Sequence, residues 1–382
     1  MKPSKHLQNF LILVCFISIS FLAFLFPTSP AKVTQPLTSS EHKAVVASTD
    51  LNVICQNLKT DMQQINAQRT TLALQQINQQ IQVCLPHINF QEQKQLMQLS
   101  DQMYQQFLMV DRTPEQQKAF VYYISNQAQY PTIQQNNFEK LNSRDQYLIR
   151  HHSQAYIDII QLDKGQVLYR RHPLYLAKIF APYLPEAERH FINELASQNL
   201  QPLWVEGHLN ITANELARRA LFWQTYLDNY PKAAYSQDAR YLSHYYSQLL
   251  FEGGKNSPIS EQFAGQDDIQ PDMLEEINQL AEQENGTLSQ QAQSFLKFIE
   301  LSPEQRPQIP SSRPMAIGHS QSKVINQLED YIGLQRLPSR NCFIDAICHN
   351  DFSPKPKPQT HPTSVDIAFK KHTSSTPSQS IH

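Results

Sequence analysis

The sequence predicts an all-α protein built from helical hairpins, and three observations carry that reading. Apolar residues recur at three- and four-residue steps through most of residues 49–301, the spacing that puts them on one face of a helix. Helix-start signals recur ahead of those runs: Thr113-Pro114-Glu115-Gln116, Ser143 with Gln146, and Thr212 with Glu215. Glycine occurs only eight times in 382 residues. Tight hairpins and nucleotide-binding turns consume glycine, so a Rossmann unit, a P-loop or an all-β sandwich is disfavoured.

The chain opens with Lys2, Lys5 and His6, followed by an uncharged apolar run from Phe10 to Phe26 that ends at Pro27. A helix of that length spans roughly 26 Å at about 1.5 Å per residue. Residues 1–31 therefore read as a signal anchor, with 10–26 in the membrane, or as a signal peptide. Small residues at Ser29 and Ala31 permit cleavage after Ala31. Both readings export the rest of the chain. They place the body outside the inner membrane, either anchored there or released into the periplasm or medium. Residues 32–48 read as a linker.

The first folded unit, 49–86, is a helical hairpin. Leu51, Ile54, Cys55, Leu58, Met62 and Ile65 form one stripe, and Leu74, Ile77, Ile81 and Cys84 form the next, stopped by Pro86. Thr70 or Thr71 caps the second helix. Each helix runs three to four turns, so Cys55 and Cys84 end level with one another and within disulfide reach. Cys342 and Cys348 can pair only if the chain breaks near Asp345, because six residues along one helix would point them apart.

Further helices follow. Leu96, Leu99, Met103, Phe107 and Val110 make a third stripe, and Gly165 and Gly253-Gly254 stand where helices should stop. Helices are expected near Pro271–Gln283 and Ser289–Leu301. Residues 302–350 begin as a connector with Pro303, Pro307, Pro310 and Pro314, and hold a short helix at Lys323–Leu334. Residues 351–382 are rich in Pro, Ser, Thr, Lys and His and read as a disordered tail.

Composition narrows function further. The formal net charge is −2, which offers no field for nucleic acid. Glutamine makes up roughly one residue in eight and sits between apolar positions on helices, as a solvated face. HExxH and CxxC spacings do not occur, so neither a metal nor another cofactor is expected.

Residues 213–251 carry a more specific pattern. Leu216, Ala220, Phe222, Tyr226, Leu227 and Tyr230 lead to Pro231, and Tyr235-Ser236-Gln237-Asp238-Ala239 starts a second helix with Tyr241, Leu242 and Tyr245. This stretch resembles one unit of the tetratricopeptide-like envelope proteins. The resemblance implies stacked helix pairs whose concave face binds a protein partner. Trp223 and Tyr246 would then be partner-facing aromatics.

Two other groups of side chains could carry chemistry. Arg150-His151-His152 and Arg170-Arg171-His172 read as solvated helix ends, or as a paired site for a phosphate or carboxylate if their helices pack together. Trp204-Val205-Glu206-Gly207-His208 is a non-helical junction whose Glu206 and His208 could serve acid–base chemistry on a glycan or ester. The leading expectation is an exported, membrane-tethered helical scaffold that binds an envelope protein. The alternative is an envelope hydrolase using Glu206 and His208.

Overall fold

Helix periodicity dominates the three-dimensional arrangement, as the spacing of apolar residues requires. The computed structural model describes residues 41–126, 130–162, 165–254, 256–283, 286–308, 322–334 and 337–350. They divide into a short first unit, 41–49, which is helical, and a body that begins at Asp50. The apolar run at 10–26, the possible cleavage point and the 351–382 tail lie outside the described residues. No helix among the described residues is long and apolar enough to cross a membrane.

The described helices are α1 (Glu41–Gln63), α2 (Thr71–Cys84), α3 (Phe90–Phe107), α4 (Pro114–Ser125), α5 (Pro131–Glu139) and α6 (Ser143–Arg150). They continue as α7 (Leu174–Ile179), α8 (Glu186–Gln198), α9 (Ala213–Asn229), α10 (Ser236–Glu252), α11 (Pro271–Ala281), α12 (Thr287–Ile299) and α13 (Ser322–Ile332). The protein is mostly helical. This is consistent with the all-α expectation; the described residues add four short antiparallel two-stranded hairpins, the first two being β1 (Ile157–Gln161) with β2 (Val167–Arg171), and β3 (Trp204–Val205) with β4 (His208–Leu209). The others are β5 (Gly253–Gly254) with β6 (Ser257–Pro258), and β7 (Arg340–Asn341) with β8 (His349–Asn350).

The α1–α2 hairpin follows its predicted stripes. Leu58, Met62, Leu74, Ile77, Ile81 and Cys84 are buried, whereas Ile54 turns outward. Thr70 caps α2, its hydroxyl accepting from the Ala73 amide. Cys55 and Cys84 are disulfide-bonded with Cα atoms 5.6 Å apart. Their sequence separation of 29 residues gives a stabilisation of about 3–4 kcal/mol in the chain-entropy treatment. Replacing both by serine is expected to lower unfolding stability by that amount in urea titrations. A loss under about 1 kcal/mol would show that the unfolded chain is already constrained there.

Local signals account for the other helix ends. Thr113 and Gln116 close a reciprocal capping box on α4, and Thr212 accepts from the Glu215 amide at the start of α9. At α6 the cap shifts by one residue, because Asn142 rather than Ser143 accepts from the Arg144 amide. Gly165 does not end a helix; it lies in the β1–β2 connection with φ 70°. Gly253 does end α10, with φ 76°, and opens the β5–β6 hairpin at once. A Cβ there would stand 2.3 Å from the Ser257 carbonyl oxygen, so the close strand approach requires glycine.

One apolar core extends from α2 and α3 to α12 and α13, and a smaller one gathers Phe120, Phe138, Leu141 and Val167 beneath α4 and α5. Trp223 and Tyr246 belong to the main core, both at 0% exposure. They are therefore core residues and cannot be partner-facing in the folded chain. Trp223 packs against Phe191 in a tilted arrangement, ring centroids 5.0 Å apart, and donates its indole N–H to Gln198 Oε1 at 3.1 Å.

Candidate functional site

The unusual chemistry of the body lies where a strand hairpin, α3 and the C-terminal disulfide loop meet. Ile157-Asp158-Ile159-Ile160 and Val167-Leu168-Tyr169 are β-branched and aromatic runs, which suit a pleated ladder better than a helix. They pair with Asp158 opposite Arg170 and Ile157 opposite Arg171. Entry to β1 passes through Ser153, Ala155 and Tyr156, all with positive φ, and the Tyr104 hydroxyl holds the Ala155 carbonyl at 2.7 Å.

Both arginines of β2 are buried, which corrects their reading as solvated helix ends. Arg170 donates through Nε to Asp158 Oδ2 at 2.8 Å, and His152 Nε2 lies 3.3 Å from the other oxygen of the same carboxylate. His152 and Arg170 thus meet on one carboxylate, and that carboxylate is the protein's own. Burial raises the Asp158 pKa and Arg170 outweighs it, leaving the group below its ordinary value. His172 accepts the Leu174 amide at the start of α7, and burial keeps its imidazole below the usual histidine range. His151 stacks on Tyr147, with ring centroids 4.1 Å apart.

Arg171 reaches the other way. It donates to Ser100 Oγ at 2.8 Å and to Asp345 Oδ2 at 2.5 Å, and Asp101 stands 3.9 Å away. Asp345 lies in the ring closed by the Cys342–Cys348 disulfide, whose chain is non-helical, as pairing requires. The body grips that loop by its backbone as well. Asn199 donates its side-chain amide to the carbonyls of Cys342 and Asp345, each at 2.6 Å, and Arg170 donates to Ile344 O at 3.3 Å. Phe343 packs on Tyr245 at 4.8 Å, and Arg340 pairs with Asp238 of α10.

His349 completes the cluster. Its Nε2 faces Asp345 Oδ2 at 3.6 Å and its Nδ1 faces Asp101 Oδ2 at 3.9 Å. Asp345 raises the His349 pKa most, burial opposes it, and Asp101 raises it further. Burial also pushes Asp101 up, with Arg171 and His349 offsetting part of the rise. Asp345 behaves oppositely. Burial would raise it, but Arg171, His349 and the Ala346 amide together hold it below the ordinary carboxylate value.

Potential ligand atoms of Asp101, Asp345 and His349 lie within 4.8 Å of one another. The donor set suits a metal poorly. Asp345 Oδ2 is taken by Arg171 and Oδ1 by the Ala346 N–H at 2.7 Å. The two ring nitrogens of His349 also face different carboxylates, and one ion can bind only one of them.

Glu206 and His208 are not part of this cluster. Glu206 lies in the β3–β4 turn and His208 opens β4; Glu206 and Gly207 have φ 52° and 79°, a left-handed pair typical of two-residue hairpins. Both are exposed. His208 Nδ1 lies 3.3 Å from Ser257 Oγ on β6. The same two hairpins pack through Trp204 on Gly254, where a Cβ would meet the indole at 2.4 Å. A cavity of about 550 Å³ opens nearby, lined in part by Leu209, Ser257, Asp268 and Met273. Its Asp268 is already committed, accepting from the Ser260 hydroxyl and from the Gln262 and Ala264 amides.

Asp101, Asn199, Asp345 and His349 carry no sequence pattern that marks them as a site. The Cys342/Cys348 spacing was the one pointer toward Asp345, since it demanded a non-helical turn there. No protein-family model, curated protein or solved structure matches the chain.

Proposed function

We propose that the chain is an exported α-helical scaffold that binds a protein partner in the cell envelope. Residues 10–26 tether it, or cleavage after Ala31 releases it. Two disulfide-bonded cysteine pairs favour an oxidising compartment for the body. The tetratricopeptide-like reading of 213–251 rests on the helix pair α9–α10 and on the aromatic pattern that fills its interior.

The observation that carries partner binding is the α4–α5 hairpin. It has its own small core, yet Tyr122, Tyr130 and Ile133 are 54%, 65% and 48% exposed. Exposed tyrosines beside an aliphatic residue supply large contact area at low entropy cost, a frequent composition of binding hot spots. Glu206 and His208 give the hydrolase alternative less support, because the exposed turn keeps Glu206 solvated.

Affinity purification from detergent-solubilised membranes, after cross-linking and with a C-terminal tag, tests the scaffold reading. A near-stoichiometric partner is expected, and Tyr122→Ala with Ile133→Ala is expected to reduce its recovery at least tenfold with Tm unchanged. Recovery of the tagged chain alone would sink the proposal. Hydrolysis of an envelope glycan or ester that Glu206→Gln abolishes would replace it with the alternative.

A further inference from the structure

The loop 342–348 and His349 are held against the body by charges that do not balance without a proton. Two carboxylates, Asp101 and Asp345, meet one permanent cation, Arg171. The imidazole of His349 stands between them with one ring nitrogen toward each carboxylate. A neutral imidazole has one N–H and one lone pair. In that form one of its nitrogens turns a lone pair toward a carboxylate oxygen, which is repulsive. Only the imidazolium presents an N–H to both. It also supplies the second positive charge that the cluster lacks.

We propose that residues 342–349 form a proton-operated latch: an imidazolium at His349 fastens the disulfide-bonded loop over Arg171, and its deprotonation loosens the loop. Release transfers the Cys342, Ile344 and Asp345 carbonyls from Asn199 and Arg170 to water. It bares the Arg171 guanidinium and the Asn199 amide as a hydrogen-bonding surface, while Arg170 stays paired with Asp158. The released surface is suited to a carboxylate, the group Asp345 places there in the closed form.

The charged and titratable groups around the imidazole come from several elements. Asp101 is on α3, Arg171 on β2, Asp345 within the loop, and the Asp238–Arg340 pair joins α10 to β7. Tyr175 packs beside the Arg171 guanidinium, 4.9 Å from its ring, and stays neutral because burial raises its pKa strongly. His349 has a raised pKa in the folded chain, so its contribution is complete below the ordinary histidine value and is lost as pH rises through the raised one. The raised Asp101 works in the same sense, at lower pH. Asp345, lowered, loses its contribution as pH falls through its own value. The latch is therefore tightest between the carboxylate range and the His349 titration.

The test is native-state hydrogen exchange of the Ala346 amide in the full chain between pH 6 and 9, corrected for intrinsic exchange. The His349 ring proton shifts are followed by NMR over the same range. Protection is expected to fall about tenfold for each unit by which the His349 pKa exceeds its unfolded value. His349→Gln is expected to flatten the profile, and Asp101→Asn to move the midpoint down. A wild-type protein with pH-independent protection, or His349 titrating at or below an ordinary histidine, would overturn the latch. Added Zn²⁺ provides a separate arm. Protection gained at micromolar Zn²⁺ and lost in His349→Gln would make the cluster a metal centre instead. If His349→Gln fails to fold, the wild-type titration still decides, and the Zn²⁺ arm is read against Asp101→Asn instead.

Discussion

Replacing Arg171 by alanine is expected to destabilise the body by about 3–5 kcal/mol, the usual range when one partner of a buried ion pair is removed. The guanidinium is 3% exposed at its side chain and Asp345 6%. Its loss leaves Asp345 and Asp101 facing each other with only His349 to compensate, and it removes the donor to the Ser100 hydroxyl, which keeps its own bond to the Met97 carbonyl. The cost is chiefly that of stranded charge. Arg171→Ala with Asp345→Ala should therefore cost clearly less than the sum of the single variants, by about 1 kcal/mol or more in a double-mutant cycle. Urea unfolding at pH 6 measures both. Additive losses would show that the two side chains act independently and that this ion pair does not hold the loop.

Trp223→Ala is expected to cost about 3–5 kcal/mol, as for other fully buried large aromatics. The indole contacts Phe191, Phe222 and Tyr226 and satisfies Gln198, a residue itself buried on α8. Trp223→Phe should keep much of the packing but leave the Gln198 oxygen unpaired, for a loss of about 1–3 kcal/mol. This outcome separates two roles for one residue. A partner-facing Trp223 would lose binding with stability intact, whereas the core residue loses stability first. Thermal unfolding read beside partner recovery makes the distinction. An alanine variant with unchanged Tm would contradict the buried placement.

Most of the helices were legible because helix formation leaves a local trace. Leu74, Ile77, Ile81 and Cys84 repeat with the turn of the helix that buries them. Thr113 with Gln116 closes its cap within four residues. The β1–β2 hairpin leaves a trace too, although helix-stop signals overlie it. Its β-branched run Ile157–Ile160 and the Asp163-Lys164-Gly165 turn sequence match a strand and a hairpin. The arginines at its end argue locally for a solvated helix terminus, because a charge on an isolated segment belongs in water. Arg170 and Arg171 escape that rule only because Asp158, Asp345 and Asn199 arrive from other elements to meet them. The same reasoning covers Trp223 and Tyr246. Helical spacing shows that aromatics share a face, yet it does not say whether another helix covers that face.

The helical class, most helix starts, the Cys55–Cys84 staple and the need for a break between Cys342 and Cys348 are all written in the order of the residues. Each of these comes from rules that act over a few residues or across one hairpin. Long-range packing settles which aromatics are core, buries the β2 arginines and gathers Asp101, Arg171, Asp345 and His349 into one cluster. Arg171 and Asp345 are 174 residues apart in the chain. A charge finds its partner across such a separation through the packing of every element between them. No local pattern records that.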